Sequence, residues 1–223
     1  MQNIYKGLFF AFSMLYLVLM AFDQLTISWL IKILPIMVLV IAVAKTPAFS
    51  GKTLLLLALV FSASGDILLE QGLFMAGVAA FLVAQLHYGV VFARRWSSIK
   101  TRWPISGLIL VFMLVMVFLL SPHLGELQLP VFAYLVVIGL MGLLATQSNM
   151  PLRWAVFGAF VFILSDSFIA IDRFLLPLPL SGYLIMTTYY GAQWMIIQGA
   201  LNEFKSAQCS KRKMVSAKSH GDT

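Results

Sequence analysis

Apolar residues run through this chain in long blocks separated by short polar loops. Eight such blocks stand out, at about 7–22, 29–45, 53–69, 73–93, 104–121, 128–147, 152–171 and 180–201. A helix crossing about 30 Å of hydrocarbon needs roughly 20 apolar residues, and each block reaches or approaches that length. The pattern predicts an all-α polytopic membrane bundle of eight transmembrane helices. Pro104, Pro130, Pro151 and Pro179 sit at or near the predicted helix starts, where proline costs a helix least. The first block, with Lys6 ahead of it, has the look of a signal peptide. No small-x-small cleavage site precedes Asp23 and more spans follow, so it reads as a retained first helix.

Composition sharpens this picture. The chain is 61% hydrophobic and 10% charged, with a mean hydropathy of +0.97. A soluble domain carries about 25% charged residues. Residues 1–204 therefore read as one transmembrane helical domain. Residues 205–223 read as a basic, disordered cytoplasmic tail resting near anionic lipid. The net charge of +7 does not imply a nucleic-acid partner, because the basic residues fall in short loops between spans. With the N-terminus inside, thirteen lysines and arginines lie on the cytoplasmic side, only Arg173 lies outside, and Lys32 stays within a span. That asymmetry predicts both termini in the cytoplasm and a multi-pass protein of the cell membrane. Asp23, Glu70, Glu126 and Asp172 then fall at outer loops, and Glu70 and Asp172 read as solvated loop-end charges. The single Cys209 permits no internal disulfide. Three histidines and one cysteine argue against a structural zinc site, and no metal or cofactor is expected.

Two ionisable residues depart from the apolar pattern. Asp66 lies in "FSASGDILLE" and Asp166 in "FVFILSDSFIAI". A charged side chain within a membrane segment costs roughly 2.5–3.5 kcal/mol on insertion scales and is a functional candidate by default. At 1.5 Å per residue, Asp66 lies roughly 6 Å and Asp166 roughly 9 Å below the outer ends of their spans. Ser62, Asp66 and Glu70 share one helix face, as do Gly77, Phe81 and Gln85 with Tyr88 close by. Tyr189 and Gln193 share another, with Tyr190 adjacent. These faces either line a polar cavity open to the outer leaflet or bond helices together. Each aspartate follows a small residue, Gly65 or Ser165, and precedes an Ala-Gln step, Ala84-Gln85 or Ala192-Gln193. This hints at a parallel internal repeat relating spans three and four to spans seven and eight. Lys32 has three readings: a snorkelling residue, a partner of Asp66 or Asp166, or a holder of a lipid phosphate. His87 reads as a packing residue.

These residues, in this order, resemble the YhhN-like lysoplasmalogenase family of small multispan membrane proteins. The matching features are Lys32, Gly65-Asp66, Phe74-x-x-Gly77-x-x-x-Phe81 leading to Gln85 and Tyr88, Gly158 with Ser165-Asp166, and Tyr189 with Ala192-Gln193. The resemblance covers about residues 28–201. Glutamine stands at 85 and 193 where family members often carry histidine, which leaves those positions a hydrogen-bonding role. The resemblance implies hydrolysis of the vinyl ether bond of a lysophospholipid, giving a fatty aldehyde and glycerophospho-ethanolamine or -choline. Asp66 and Asp166 would be catalytic. Lys32, Gln85, Tyr88, Ser165, Tyr189, Tyr190 and Gln193 would line the substrate site. The chemistry suits two aspartates in unequal, poorly solvated settings, because one acid must protonate the alkenyl carbon and one carboxylate must steady the cation or activate water. A proton-coupled or small-molecule transporter using the same carboxylates, and a lipid-binding protein without turnover, are the alternatives.

Overall fold

The computed structural model describes the backbone of residues 1–22 and 28–221, and side chains through Ser206. Asp23, expected at an outer loop, lies outside the described residues, as does the side chain of Cys209. Each of the eight expected segments is helical, in the expected order: α1 Asn3–Leu19, α2 Ser28–Ala44, α3 Lys52–Glu70, α4 Phe74–Ala93, α5 Trp103–Leu120, α6 Gln128–Thr146, α7 Phe157–Phe174 and α8 Ser181–Gly221. Among the described residues no β-strand forms. Pro104 falls in the first turn of α5 and Pro130 in that of α6. Pro151 caps a π turn, Leu152–Val156, that leads into α7. The backbone of α8 stays helical to Gly221, where the sequence led us to expect a disordered tail from 205. That stretch contains no proline and many good helix formers, so an established helix propagates through it at little cost.

Five stretches are long and apolar enough to cross a membrane: Lys52–Glu70, Phe74–Ala93, Lys100–His123, Gly125–Thr146 and Leu152–Phe174. The helices α1 and α2 are apolar but shorter. Leu108, Val111, Leu114 and Phe118 on α5 are exposed, as a lipid-facing surface requires. The core forms where α3 packs on α4, α7 on α8, and α4 on α6. Small residues permit these approaches. A Cβ on Gly65 would come within 2.6 Å of the Phe81 ring, and one on Gly77 within 2.6 Å of Leu69. On α7, a Cβ at Gly158 would meet the backbone nitrogen of Ile196 at 3.0 Å.

One end of the bundle gathers the α2–α3, α4–α5 and α6–α7 connections. There the basic side chains hold helix ends together. The Arg102 guanidinium donates to the carbonyls of Ser148 at 2.8 Å and Met150 at 3.3 Å. Lys52 donates to the carbonyls of Ala44 and Thr46, and Arg95 pairs with Glu203. Cations at helix C-termini are favoured by the helix dipole. The opposite end carries the α3–α4 and α7–α8 connections, and the polar residues of interest lie just beneath it.

Candidate active site

Asp66 lies in the last two turns of α3, on the face that also carries Ser62, Ala63 and Leu59. That face turns inward because the rest of the helix is apolar and meets lipid or neighbouring helices. Asp66 is 3% exposed. Its Oδ2 accepts a hydrogen bond from the Tyr189 hydroxyl at 2.7 Å. Tyr189 is held in place by edge contacts with Phe81 and Phe162. Asp166 occupies the corresponding depth on α7 and is half-buried. Its Oδ2 accepts a hydrogen bond from the hydroxyl of Tyr134 on α6. Each aspartate thus has a tyrosine donor from a different helix, and in each case the helix pairing supplies the geometry.

Two hollows open beside this pair. The larger, of about 420 Å³, is bounded by Tyr16, Met20, Ser28, Lys32, Glu70 and Met186 among others. The smaller, of about 50 Å³, holds Asp166 and Tyr134 within an otherwise apolar wall that includes Phe74, Val78, Phe81 and Phe174. Leu69 and Ile169 line both. Leu69 is one helical turn beyond Asp66, and Ile169 one turn beyond Asp166, because side chains three apart stack on one face. Asp166 therefore lies in the wall of the apolar hollow, and Asp66, which lines neither, lies one helical turn from Leu69 in the wall the two hollows share.

Lys32 is 8% exposed. Its ammonium pairs with neither aspartate but with Glu70, Nζ to Oε2, at 3.0 Å. The other Glu70 oxygen accepts from the Ser28 hydroxyl at 2.7 Å. Glu70 is exposed at the end of α3, the loop-end charge expected from sequence, and is also held in an ion pair. The end of α3 tilts it toward α2, and nothing in the spacing announces that. Tyr190 donates to the Lys32 backbone carbonyl at 2.7 Å. This bond ties α8 to α2.

The deeper expected residues form a second layer. The Tyr88 hydroxyl donates to Oε1 of Gln193 at 2.5 Å. Gln85 is fully buried, and both of its amide atoms lack a hydrogen-bond partner, as do Nε2 of Gln193 and the Ser62 hydroxyl. An unpaired buried polar group costs about 1–3 kcal/mol, so this layer is polar at a cost to stability. Ser165 donates to the Ile185 carbonyl at 3.0 Å, which ties α7 to α8 and faces neither carboxyl. His87 bonds the Val83 carbonyl and stacks on Phe61. Among the described residues, no three His, Cys, Asp or Glu side chains converge as metal ligands do. Asp172 accepts from the backbone N–H of Leu178 at 2.8 Å, so it shapes the α7–α8 turn. Tyr134 was missed from sequence. Its only signal is a lone hydroxyl in an apolar helix, which a lipid-interface tyrosine shares.

The chain is similar to known proteins over most of its length. The YhhN family profile matches residues 27–200. The chain is 36% identical to a protein of Bos taurus named lysoplasmalogenase TMEM86A, with 78% of each chain covered. It is 37% identical to lysoplasmalogenase TMEM86B of Homo sapiens, over 80% of this chain and 78% of that protein. A lysoplasmalogenase of Mycobacterium bovis is 31% identical over 64% of this chain and 58% of its own length. No solved structure matches. Identity of this order over most of the chain, together with a family match that takes in α2 through α8 up to residue 200, places the protein: it belongs to the YhhN family.

Proposed function

We propose that this protein is a membrane hydrolase that cleaves the vinyl ether bond of lysoplasmalogens. The products are a fatty aldehyde and a glycerophospho-ethanolamine or -choline. The observation that carries the reading is the pair of aspartates, each bonded by a tyrosine hydroxyl, beside a polar hollow that shares Leu69 and Ile169 with the apolar hollow holding Asp166. A lysoplasmalogen has the same division, with its labile bond at the junction of headgroup and chain. The names of the relatives point the same way. None of the relatives described above is named for transport.

The reaction begins with proton transfer from a carboxylic acid to the outer alkenyl carbon. An oxocarbenium-like cation forms at the carbon bound to oxygen. Water adds there, and the hemiacetal collapses to aldehyde and free glycerol hydroxyl. Asp166 lines the apolar hollow, the side on which the apolar part of the substrate is placed, so it is assigned the acid. Asp66 lies one turn before Glu70, the partner of Lys32, and is assigned the carboxylate that steadies the cation and aligns water. Oppositely placed acid and base roles of this kind contribute roughly 10²–10⁴-fold each. Tyr189 and Tyr134 orient the two carboxyls. Lys32, Tyr88, Tyr190, Ser165, Gln85 and Gln193 form the surrounding substrate site, Ser165 by holding α7 against α8.

In the same reading all eight helices span the membrane of the cell, both termini are cytoplasmic, and the site opens toward the outer leaflet. The clustering of Arg95, Arg102 and Lys52 at one end supports that orientation. Residues 1–204 act as the membrane domain, and 205–223 as an appended tail. A parallel repeat relating α3–α4 to α7–α8 is supported by the matched placement of Asp66 with Leu69 and of Asp166 with Ile169. Phe81 sits at the Asp166 hollow much as Tyr189 sits at Asp66. The test is aldehyde release by the purified protein in detergent given lysoplasmalogen. A preparation that is folded and releases none would refute the assignment.

A further inference from the structure

The Lys32–Glu70 pair has features that an ordinary structural ion pair does not need. It is not packed into the core but lines the hollow of about 420 Å³, with Ser28 and Tyr16 beside it. Its members differ in depth: the side chain of Lys32 is 11% exposed and that of Glu70 28%. The cation therefore lies deeper and the anion nearer the mouth. Both Glu70 oxygens point at donors, Lys32 and Ser28, that a ligand cation can replace or join.

We propose that Glu70 is the specificity-determining residue that reads the ammonium of a zwitterionic headgroup, while Lys32 holds its phosphate. The inference rests on the lysoplasmalogen reading of the site. In such a lipid the order outward from the vinyl ether is glycerol, phosphate, then ammonium. Toward the mouth of the hollow the order is Lys32, then Glu70, so the two sequences of charge run in register. Binding exchanges one internal ion pair for two intermolecular ones with no net charge buried. A headgroup that ends at a phosphate monoester brings a second negative charge toward Glu70 and no cation to meet it. Like-charge juxtaposition at an interface suppresses wrong partners. A neutral headgroup terminus leaves the Glu70 carboxylate without its gain. Tyr16 lines the same hollow, and an aromatic ring attracts a methylated ammonium, so the proposal takes both ethanolamine and choline forms as ligands.

The experiment measures binding, not turnover. Non-hydrolysable 1-O-alkyl lysophospholipids are titrated against the purified protein in detergent, and tryptophan fluorescence reports the dissociation constant. The headgroups are phosphoethanolamine, phosphocholine, phosphopropyl (the same shape without the ammonium) and phosphate monoester. The wild-type protein should bind the first two at least tenfold more tightly than the last two. Glu70→Gln should bring all four within about threefold of one another. Equal affinities in the wild type overturn the proposal, and so does a preference that survives in Glu70→Gln. If Glu70→Gln does not fold, the wild-type comparison of phosphoethanolamine with phosphopropyl decides alone. Selective binding without aldehyde release refutes the hydrolase reading and leaves the headgroup site standing. Aldehyde release without selectivity refutes the headgroup site only.

Discussion

Tyr189 on α8 donates its hydroxyl to Asp66 on α3 at 2.7 Å, across 123 residues of sequence. Tyr134 on α6 does the same for Asp166 on α7. Removing either hydroxyl leaves a carboxyl oxygen without its partner and free to rotate. Tyr189→Phe and Tyr134→Phe should each lower kcat about tenfold, equivalent to ~1.4 kcal/mol of barrier, with KM changed little. Steady-state rates of aldehyde release check this. A fall in KM-controlled binding with kcat intact would show that these tyrosines touch the substrate and do not position the acids.

The proposed chemistry leaves a label. Protonation of the alkenyl carbon by an acid that exchanges with solvent puts one solvent hydrogen on the carbon next to the aldehyde. In D₂O, with the product trapped by rapid reduction, mass spectrometry should find a single deuterium there. An unlabelled product would mean that the bond breaks without carbon protonation.

Much of the site was legible in the sequence. Asp66 and Asp166 stand out because an ionisable group in an apolar block has to be accounted for. Lys32, Tyr189 and Gln193 are visible for the same reason, and the eight helices follow from length and hydropathy alone. What stayed hidden is partnership. Tyr134 and Asp166 are 32 residues apart, and nothing local says that α6 lays a hydroxyl on α7. Glu70 sits at a helix end, where a charge is ordinary, so its pairing with Lys32 emerges only once α2 and α3 are packed. The π turn at Leu152–Val156 has no sequence signature beyond Pro151. Hydrophobic periodicity identifies a buried face but not which helix covers it.

Lys32 tests the headgroup half of the site. If its ammonium holds phosphate, Lys32→Met should raise KM more than it lowers kcat, the mark of binding shared by ground and transition states. Loss of folded protein in detergent would show that the ion pair with Glu70 is a structural requirement instead.

Close packing makes a prediction about stability. A Cβ on Gly158 would lie 2.9 Å from the Met195 Cβ and 3.0 Å from the Ile196 nitrogen. The backbone of α8 would have to move, so Gly158→Ala should destabilise by about 1–3 kcal/mol. Gly7 has open space around its Cβ position, and Gly7→Ala should leave thermal stability unchanged. Unfolding midpoints in one detergent compare the two.

Orientation is testable without activity. Reporter fusions at Thr223 and within 122–127 should report opposite sides of the membrane. The same side for both would contradict the eight-span arrangement.

The central claim is that Asp66 and Asp166 are both catalytic, one as acid and one as carboxylate. Asp66→Asn and Asp166→Asn keep shape while removing acid–base function. The deciding measurement is the rate of aldehyde release from lysoplasmalogen by each variant, at matched folded concentration, across pH. The wild type should give a bell-shaped profile whose two apparent pKa values belong to the pair. Each variant should lose roughly 10²-fold or more at the optimum, the usual scale for a general acid or base. A folded variant of either kind that releases aldehyde at near wild-type rate would contradict the two-aspartate mechanism.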